Sequence, residues 1–243
     1  MDTRNFQKAF ECLSRCSAEM ADAVPPPQLV AVPSAAQSYR YVERSIQQAM
    51  VLKMIRTVSA LAALQLLAES GLVLDAGAIM RTLDELGTDL MFLAGPSRTG
   101  SIEPKHLEYL DEFFQEEFDH PDPLVASQSR RRVSRRDIRA YVARVYSDTA
   151  GVSVSHLSAV FETVESAVSG YVHGASTHIL DLYDGNSFQI RYGAADDRGA
   201  SIRRLVSSYV FRAIVPAIIV SQALGLRDTM SNLIEVAGEV ETT

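Results

Sequence analysis

Apolar residues recur at the three- and four-residue spacing of an α-helix along almost the whole chain, and this periodicity constrains the fold more than any other feature. Between positions 73 and 94, one stripe carries Ile79, Leu83, Leu86, Leu90 and Leu93. A helix with such a stripe must bury it against neighbouring helices. Because the chain has 243 residues and 47% of them are hydrophobic, it can build a substantial core. The sequence therefore predicts an all-α, single-domain helical bundle.

Helix-breaking residues divide this pattern into about seven or eight helices. The first helix is predicted over 5–23, stopped by three consecutive prolines, and a long helix is expected to begin at Ser34 as N-cap and to end at Gly71. The Gly95-Pro96 pair is expected to end the next one. A brief extended segment is predicted at 188–192, but it is too short to form a sheet. The central core is assigned to the segments 36–70, 73–94, 154–183 and 200–224, with a kink at Pro216 and a closing helix over 228–240.

The segment 104–146 carries an acidic block followed by a basic one and is expected to form a charged helical hairpin inserted into the bundle. The acidic helix is predicted over 104–118. The basic block contains Arg130, Arg131, Arg132, Arg135, Arg136 and Arg139. In one interpretation the two blocks neutralise each other; in the other, the arginines contact phosphate groups of RNA. The net charge of −7 argues against a general affinity for polyanions but leaves room for a local basic patch.

Polar residues recur on the same side of several predicted helices and suggest a shared interior cavity. Arg81 and Glu85 are spaced for an i,i+4 pair, and Glu162, Ser169 and His173 follow one side of a later helix. Buried charges need partners, so these stripes are expected to meet. The candidate cavity contains Arg81, Glu85, Glu162, Ser169, Tyr171, His173 and Arg212. In a functional interpretation, His173 is a general acid or base and the arginines hold an anion; in a structural one, the network only fixes helix register.

Other chemistries have little support in the sequence. His173, His178 and Asp181 do not share one helical face, and Cys12 and Cys16 lack further cysteines for a zinc site, so no metal and no cofactor is expected. The glycine patterns of nucleotide-binding loops and of nucleophile elbows are missing. The two cysteines are interpreted as free thiols.

Two short blocks carry a family resemblance. The segments Ala78-Ile-Met-Arg-Thr-Leu-Asp-Glu-Leu86 and Ser169-Gly-Tyr-Val-His-Gly174 resemble an uncharacterised group of bacterial helical proteins. That group is similar to the HEPN superfamily of helical bundles, many of which are ribonucleases in toxin and phage-defence systems. The resemblance covers residues 36–225. Active HEPN ribonucleases place an arginine four to six residues before a histidine on one helix, and no histidine here has one. The resemblance therefore implies a fold more than an activity.

We expect a cytoplasmic, HEPN-like protein that is not an enzyme and that binds a partner or small ligand through the polar cavity, in a defence or stress role. The alternatives are a toxin-like ribonuclease and a homo-oligomeric interaction protein whose leucine-rich helix faces pair between chains. The N-terminus lacks the apolar run of a signal peptide. The apolar stretch 205–226 contains Arg212 and Pro216, which favours a buried core helix over a membrane span, so no membrane partner is expected.

Overall fold

The computed structural model describes residues 3–33, 35–127, 129, 131–191 and 197–241. Within these ranges the chain is an all-α bundle with one small β-hairpin, which confirms the predicted fold class. Nine α-helices are present, rather than seven or eight, in the part of the chain described. In order, the elements are α1 (Thr3–Asp22), β1 (Gln28–Val32), β2 (Ala35–Arg40), α2 (Ile46–Glu69), α3 (Val73–Thr99), α4 (Pro104–Phe113), α5 (Arg135–Ala150), α6 (Val154–His173), α7 (Ser176–Leu180), α8 (Asp197–Ala223) and α9 (Arg227–Glu241).

Helix α3 lies at the centre of the bundle. Four helices pack against it: α2, α5, α6 and α8. Its residues Leu90 and Phe92 are fully buried, together with Leu64 of α2 and Ile214 of α8. Among the described residues, α8 makes no extensive contact with α5 or α6. A cleft therefore runs over α3 between these elements, and the sites described below lie in it.

The predicted helix start at Ser34 is wrong, because an antiparallel hairpin occupies 28–40 and α2 begins only after Ser45. Ser34 itself lies outside the described residues. Ser45 accepts a hydrogen bond from the Gln48 backbone, and the Gln48 side chain accepts one from the Ser45 backbone, forming a capping box. The Arg40 guanidinium ties the hairpin to Glu116 through two hydrogen bonds of 2.6 and 2.9 Å. This contact supports a two-stranded unit that is only marginally stable alone.

The predicted helix end at Gly95-Pro96 is also wrong, since α3 continues to Thr99. Pro96 lies in the last turn of α3, and the helix continues for three more residues beyond it. The helix stops instead at Gly100, whose φ of 73° is the left-handed conformation that glycine adopts easily. Pro216 likewise lies inside α8.

The charged segment 104–146 is integrated into the bundle. His106 of α4 is fully buried, and its ring stacks on Phe92 at a centroid distance of 4.3 Å. Ile138 and Tyr141 of α5 are also buried in the common core. Helix α4 ends at Phe113, five residues before the predicted position 118.

Two described helices, Ile46–Glu69 and Arg204–Ala223, are long and apolar enough to cross a membrane by length and composition. Buried residues make up 44% and 50% of their most apolar windows, respectively. Core helices of soluble proteins pass the same test, so this property does not establish where the protein is located.

Candidate functional site

A cavity of about 250 Å³ lies in the cleft over α3, enclosed by four helices. Its lining consists of Arg81, Leu83, Asp84, Gly87, Thr88 and Met91 of α3, Arg135 and Arg139 of α5, Phe161, Val164 and Glu165 of α6, and Phe211, Arg212, Val215 and Pro216 of α8. We call this space the arginine cavity. Its polar part contains four guanidinium groups and two carboxylates, whereas Met91, Phe161, Val164, Phe211, Val215 and Pro216 form apolar walls.

Helical spacing explains how these side chains reach one space. On α3, Arg81, Asp84 and Thr88 follow each other at intervals of three and four residues and therefore share a face. Arg135 and Arg139 are one turn apart on α5. Gly87 leaves room at the centre of the α3 face, because a Cβ there would meet only Pro216 Cγ, at 4.0 Å.

Glu165 joins the cations of two helices. Its carboxylate forms ion pairs with Arg81 and with Arg139, and Arg81 also contacts Glu85 at 2.7 Å. Burial lowers the pKa of the Arg139 guanidinium from its usual value, and the neighbouring charges of Arg135 and Arg81 lower it further. The guanidinium groups are thus close enough to repel one another.

Arg135 connects the cavity to a buried acidic centre. It forms an ion pair with Asp89 and donates a hydrogen bond to Thr88 Oγ1. Asp89 also accepts from Lys53 Nζ at 2.7 Å and from the Tyr109 hydroxyl at 2.8 Å. Burial opposes ionisation of Asp89, but the charges of Arg135 and Lys53 outweigh it and lower its pKa. Arg135 Nε is buried and has no hydrogen-bond partner within the part of the chain described.

Asp84 has a different environment. Its carboxylate accepts from the Tyr209 hydroxyl at 3.0 Å and pairs with Arg212 at 3.0 Å. Burial raises the pKa of this carboxyl to about 6, although Arg212, Tyr209 and Arg81 act in the opposite direction. The Arg212 guanidinium lies over the Tyr209 ring, 4.8 Å from its centroid. The charge of the cavity therefore changes near pH 6.

The structure brings together only part of the predicted polar cavity. Arg81 and Arg212 line it, and Glu85 is half-exposed beside Arg81. Glu162 is exposed, but its charge still acts on Arg139. The predicted convergence of Arg81 with Ser169, Tyr171 and His173 is not found, because Arg81 pairs with Glu165, about two helical turns before His173 on α6.

These three residues lie near the C-terminal end of α6, outside the cavity. His173 is exposed and is the last residue of the helix. The Tyr171 ring packs against Gly77, and its hydroxyl donates to Asp181 at 3.4 Å. Gly170 allows the ring of His178 to approach the α6 backbone closely.

The arginine row divides between two environments. Arg135 and Arg139 point into the arginine cavity. Arg132 pairs with Glu112 of the acidic helix at 3.3 Å, and Arg131 lies beside the same helix. Arg136 is exposed, and Arg130 lies outside the described residues. Of the row, Arg131 and Arg132 thus lie beside the acidic helix, as the neutralisation interpretation expects, whereas Arg135 and Arg139 do not.

Sequence reasoning missed the two carboxylates of the cavity, Asp84 and Glu165. Asp84 lies beside Glu85 in sequence and follows Arg81 by three residues, which was the available signal. Glu165 follows Glu162 at the same interval. Among the described residues, no group of three or more His, Cys, Asp or Glu side chains is placed to hold a metal ion.

No protein-family model, curated protein or solved structure matches this chain. The HEPN resemblance therefore stays a prediction from two short sequence blocks.

Proposed function

We propose that this chain is a small-molecule-binding protein that holds an anionic ligand with an apolar part in the arginine cavity. One observation carries the proposal: arginines from three separate helices, Arg81 of α3, Arg135 and Arg139 of α5, and Arg212 of α8, line one cavity with apolar walls. Guanidinium groups recognise carboxylates and phosphates through paired hydrogen bonds. Apolar walls around a few convergent polar groups are typical of ligand sites.

The charge balance supports an anion rather than a cation. The cavity lining has four guanidinium groups against the carboxylates of Asp84 and Glu165. The lowered pKa of Arg139 and the unpartnered Arg135 Nε are both conditions that an added anion would relieve. Glu85 pairs with Arg81 and Asp89 pairs with Arg135 outside the lining, so the support for an anion comes from the charges that face the cavity and not from a net excess of cations in the network.

Binding has more support than catalysis. No histidine lines the cavity among the described residues, and His173, the general acid or base expected from sequence, is exposed elsewhere. The ribonuclease alternative also needs a continuous basic surface, whereas the arginine row is split between the cavity and the acidic helix. A cytoplasmic location and a defence or stress role are proposals that rest on the sequence.

Isothermal titration of the native chain with phenyl phosphate, benzoate and neutral benzyl alcohol tests the proposal. We expect the two anions to bind and the alcohol to bind at least tenfold more weakly, because only an anion forms charge-assisted hydrogen bonds with the guanidinium groups. Arg212→Gln should weaken anion binding at least tenfold. Arg144→Gln is the matched control, since Arg144 lies on the exposed side of α5 and pairs with Glu103 at 2.7 Å. If none of the anions binds at millimolar concentration, the proposal is wrong.

A further inference from the structure

The arginine cavity has a neighbour in the same cleft. A second cavity of about 480 Å³ lies between α8 and the C-terminal ends of α3 and α5, and Val215 lines both. We call it the distal cavity. Together the two spaces extend along α3 from Arg81 to Arg98, a distance of about 26 Å at 1.5 Å per residue.

This arrangement follows from the packing of the bundle. Helices α5 and α8 both contact α3, but among the described residues they make no extensive contact with each other. Val215, Ile218 and Ile219 of α8 are therefore only half-buried along the side that faces α5. Half-buried aliphatic side chains in a row along a cleft leave apolar surface for another apolar group to cover.

The two ends of the cleft differ in chemistry. At one end lie the four guanidinium groups of the arginine cavity. The distal cavity is lined by Val215, Ile218, Ile219 and the ring of Tyr146, together with the polar residues Ser97, Thr149, Gln222 and the exposed Arg98, which donates to Thr149. The proximal end thus holds four guanidinium groups, whereas the distal part holds one, that of Arg98, beside the aliphatic side chains of α8.

We propose that the ligand of the arginine cavity is a free single-chain fatty acid. Its carboxylate lies among the arginines and its alkyl chain passes Val215 into the distal cavity. The proposal rests on the proposed function and narrows it to one ligand class. The arginine cavity, at about 250 Å³, is smaller than the ~300–1,000 Å³ of most pockets for drug-sized ligands, so it suits a compact head group whose remainder extends elsewhere.

A chain-length series on the native protein is the main test. Linear carboxylates from four to fourteen carbons are titrated below their micelle concentrations, beside the primary alcohols of equal length. We expect affinity to rise about fourfold per added methylene, equivalent to ~0.8 kcal/mol each, and then to level off when the distal cavity is full. Each carboxylate should bind at least tenfold more tightly than its alcohol, because the alcohol offers no negative charge to the guanidinium groups that face the cavity.

Val215→Trp places a large ring where the two cavities meet. Short carboxylates should still bind to this variant. The affinity should stop rising with chain length at shorter chains than it does in the native protein. Leu67→Trp makes the same kind of change at a half-buried position of α2 outside both cavities, and should keep the native length dependence. Circular dichroism reports whether each variant folds, and the native series decides the question if Val215→Trp does not.

The outcomes separate this inference from the proposed function. If short carboxylates and phenyl phosphate bind but longer chains give no gain, the fatty-acid inference fails and anion binding stands. If no anion of any length binds, both fail. The inference is also overturned if affinity rises with chain length without a plateau and does so equally for the alcohols, which would indicate nonspecific adsorption. It is overturned as well if the protein binds anionic vesicles but no monomeric acid. An unchanged length dependence in folded Val215→Trp contradicts it as well.

Discussion

Asp84 is the cavity side chain whose charge responds to pH near neutrality. Burial raises the pKa of its carboxyl from 3.8 to about 6, so the folded protein holds the proton more tightly than the unfolded chain does. The stabilisation from this proton is complete below about pH 4 and is lost as the pH rises through about 6. A difference of about two pKa units corresponds to ~3 kcal/mol.

Asp84→Asn should remove this pH dependence. Between pH 4 and pH 7, the free energy of unfolding of the native protein should fall by up to ~3 kcal/mol relative to that of the variant. Urea denaturation at four pH values measures the difference. The exposed Asp148→Asn should follow the native profile. If the free energy of unfolding changes with pH in the same way in the native protein and in Asp84→Asn, the pKa of Asp84 is not raised in the folded protein.

The same proton changes the charge of the cavity. When Asp84 is neutral, Arg212 loses its partner at 3.0 Å and becomes more available to an anion. Octanesulfonate stays ionised across this range, so we expect it to bind on the order of tenfold more tightly at pH 5 than at pH 7.5. In Asp84→Asn the affinity should be high at both pH values. Affinity that rises with pH in the native protein would contradict this account.

Asp89 is the residue on which the packing of three helices around α3 depends most. It binds Lys53 of α2, Tyr109 of α4 and Arg135 of α5 while 5% exposed. Asp89→Ala would leave the partly buried Lys53 and Arg135 without a counter-charge and should reduce the free energy of unfolding by ~2–4 kcal/mol. Lys105→Ala breaks an exposed ion pair with Asp137 and should cost much less, as judged by urea denaturation. Equal losses for both variants would contradict the assigned role.

At the scale of elements, the contact between α3 and α6 depends on a missing side chain. A Cβ on Gly77 would lie 2.3 to 2.7 Å from atoms of the Tyr171 ring. Gly77→Ala should therefore force the helices apart and destabilise the protein by ~1–3 kcal/mol, measured by thermal and urea unfolding. In α9, Gly238→Ala meets no heavy atom within 4 Å and should stabilise by up to ~1 kcal/mol. Two variants of similar stability would show that the helices do not approach closely at Gly77.

Periodicity predicted most helix bounds to within a few residues because it reports burial within one element. The expected helices 5–23 and 228–240 are observed as Thr3–Asp22 and Arg227–Glu241. It failed between the predicted helix start at Ser34 and residue 45, where the chain instead forms β2 and a loop, and Val42 is 53% exposed. Local spacing alone does not distinguish a short strand pair from an extension of the helix that follows.

The candidate site was predictable in its cations more than in its geometry. Arg81, Arg212 and the pair Arg135 and Arg139 were all singled out from sequence, but in two separate groups. Which residues meet depends on the axial offset between neighbouring helices. The packing of Tyr171 on Gly77 places Glu165, rather than His173, beside Arg81. The spacing of polar residues along one helix shows which side of that helix they occupy. Tertiary packing decides which residues of a neighbouring helix lie opposite them.

For the whole molecule, the central position of α3 explains why core and site coincide. One side of this helix holds the fully buried Leu90 and Phe92, and another carries Arg81, Asp84 and Thr88 into the cleft. Helices that pack on different sides of one central helix without touching each other leave space between them. The site is thus a consequence of the packing order, and sequence changes at the cleft-facing positions of α5 or α8 can alter it without replacing the buried residues of α8 that pack against α2.

The outer face of α2 carries the molecule's clearest helical stripe of exposed apolar residues. Leu52, Ile55 and Leu66 are 36%, 45% and 64% exposed, and they share one side of the helix with Ser59. We expect this face to pair with that of a second copy, since isologous contacts between apolar helix faces are a common route to dimers. Light scattering between 1 and 500 µM, about the range for a weak dimer, should show a concentration-dependent mass.

The double variant Ile55→Lys and Leu66→Lys should remain monomeric across that range, because two cations on an apolar helix contact oppose association. Leu107→Lys with Val125→Lys changes residues of similar exposure, 57% each, that lie outside the exposed stripe of α2, and should behave like the native protein. A native chain that is monomeric at every concentration would refute pairing through α2. A mass that increases equally in all three proteins would place the contact elsewhere on the surface.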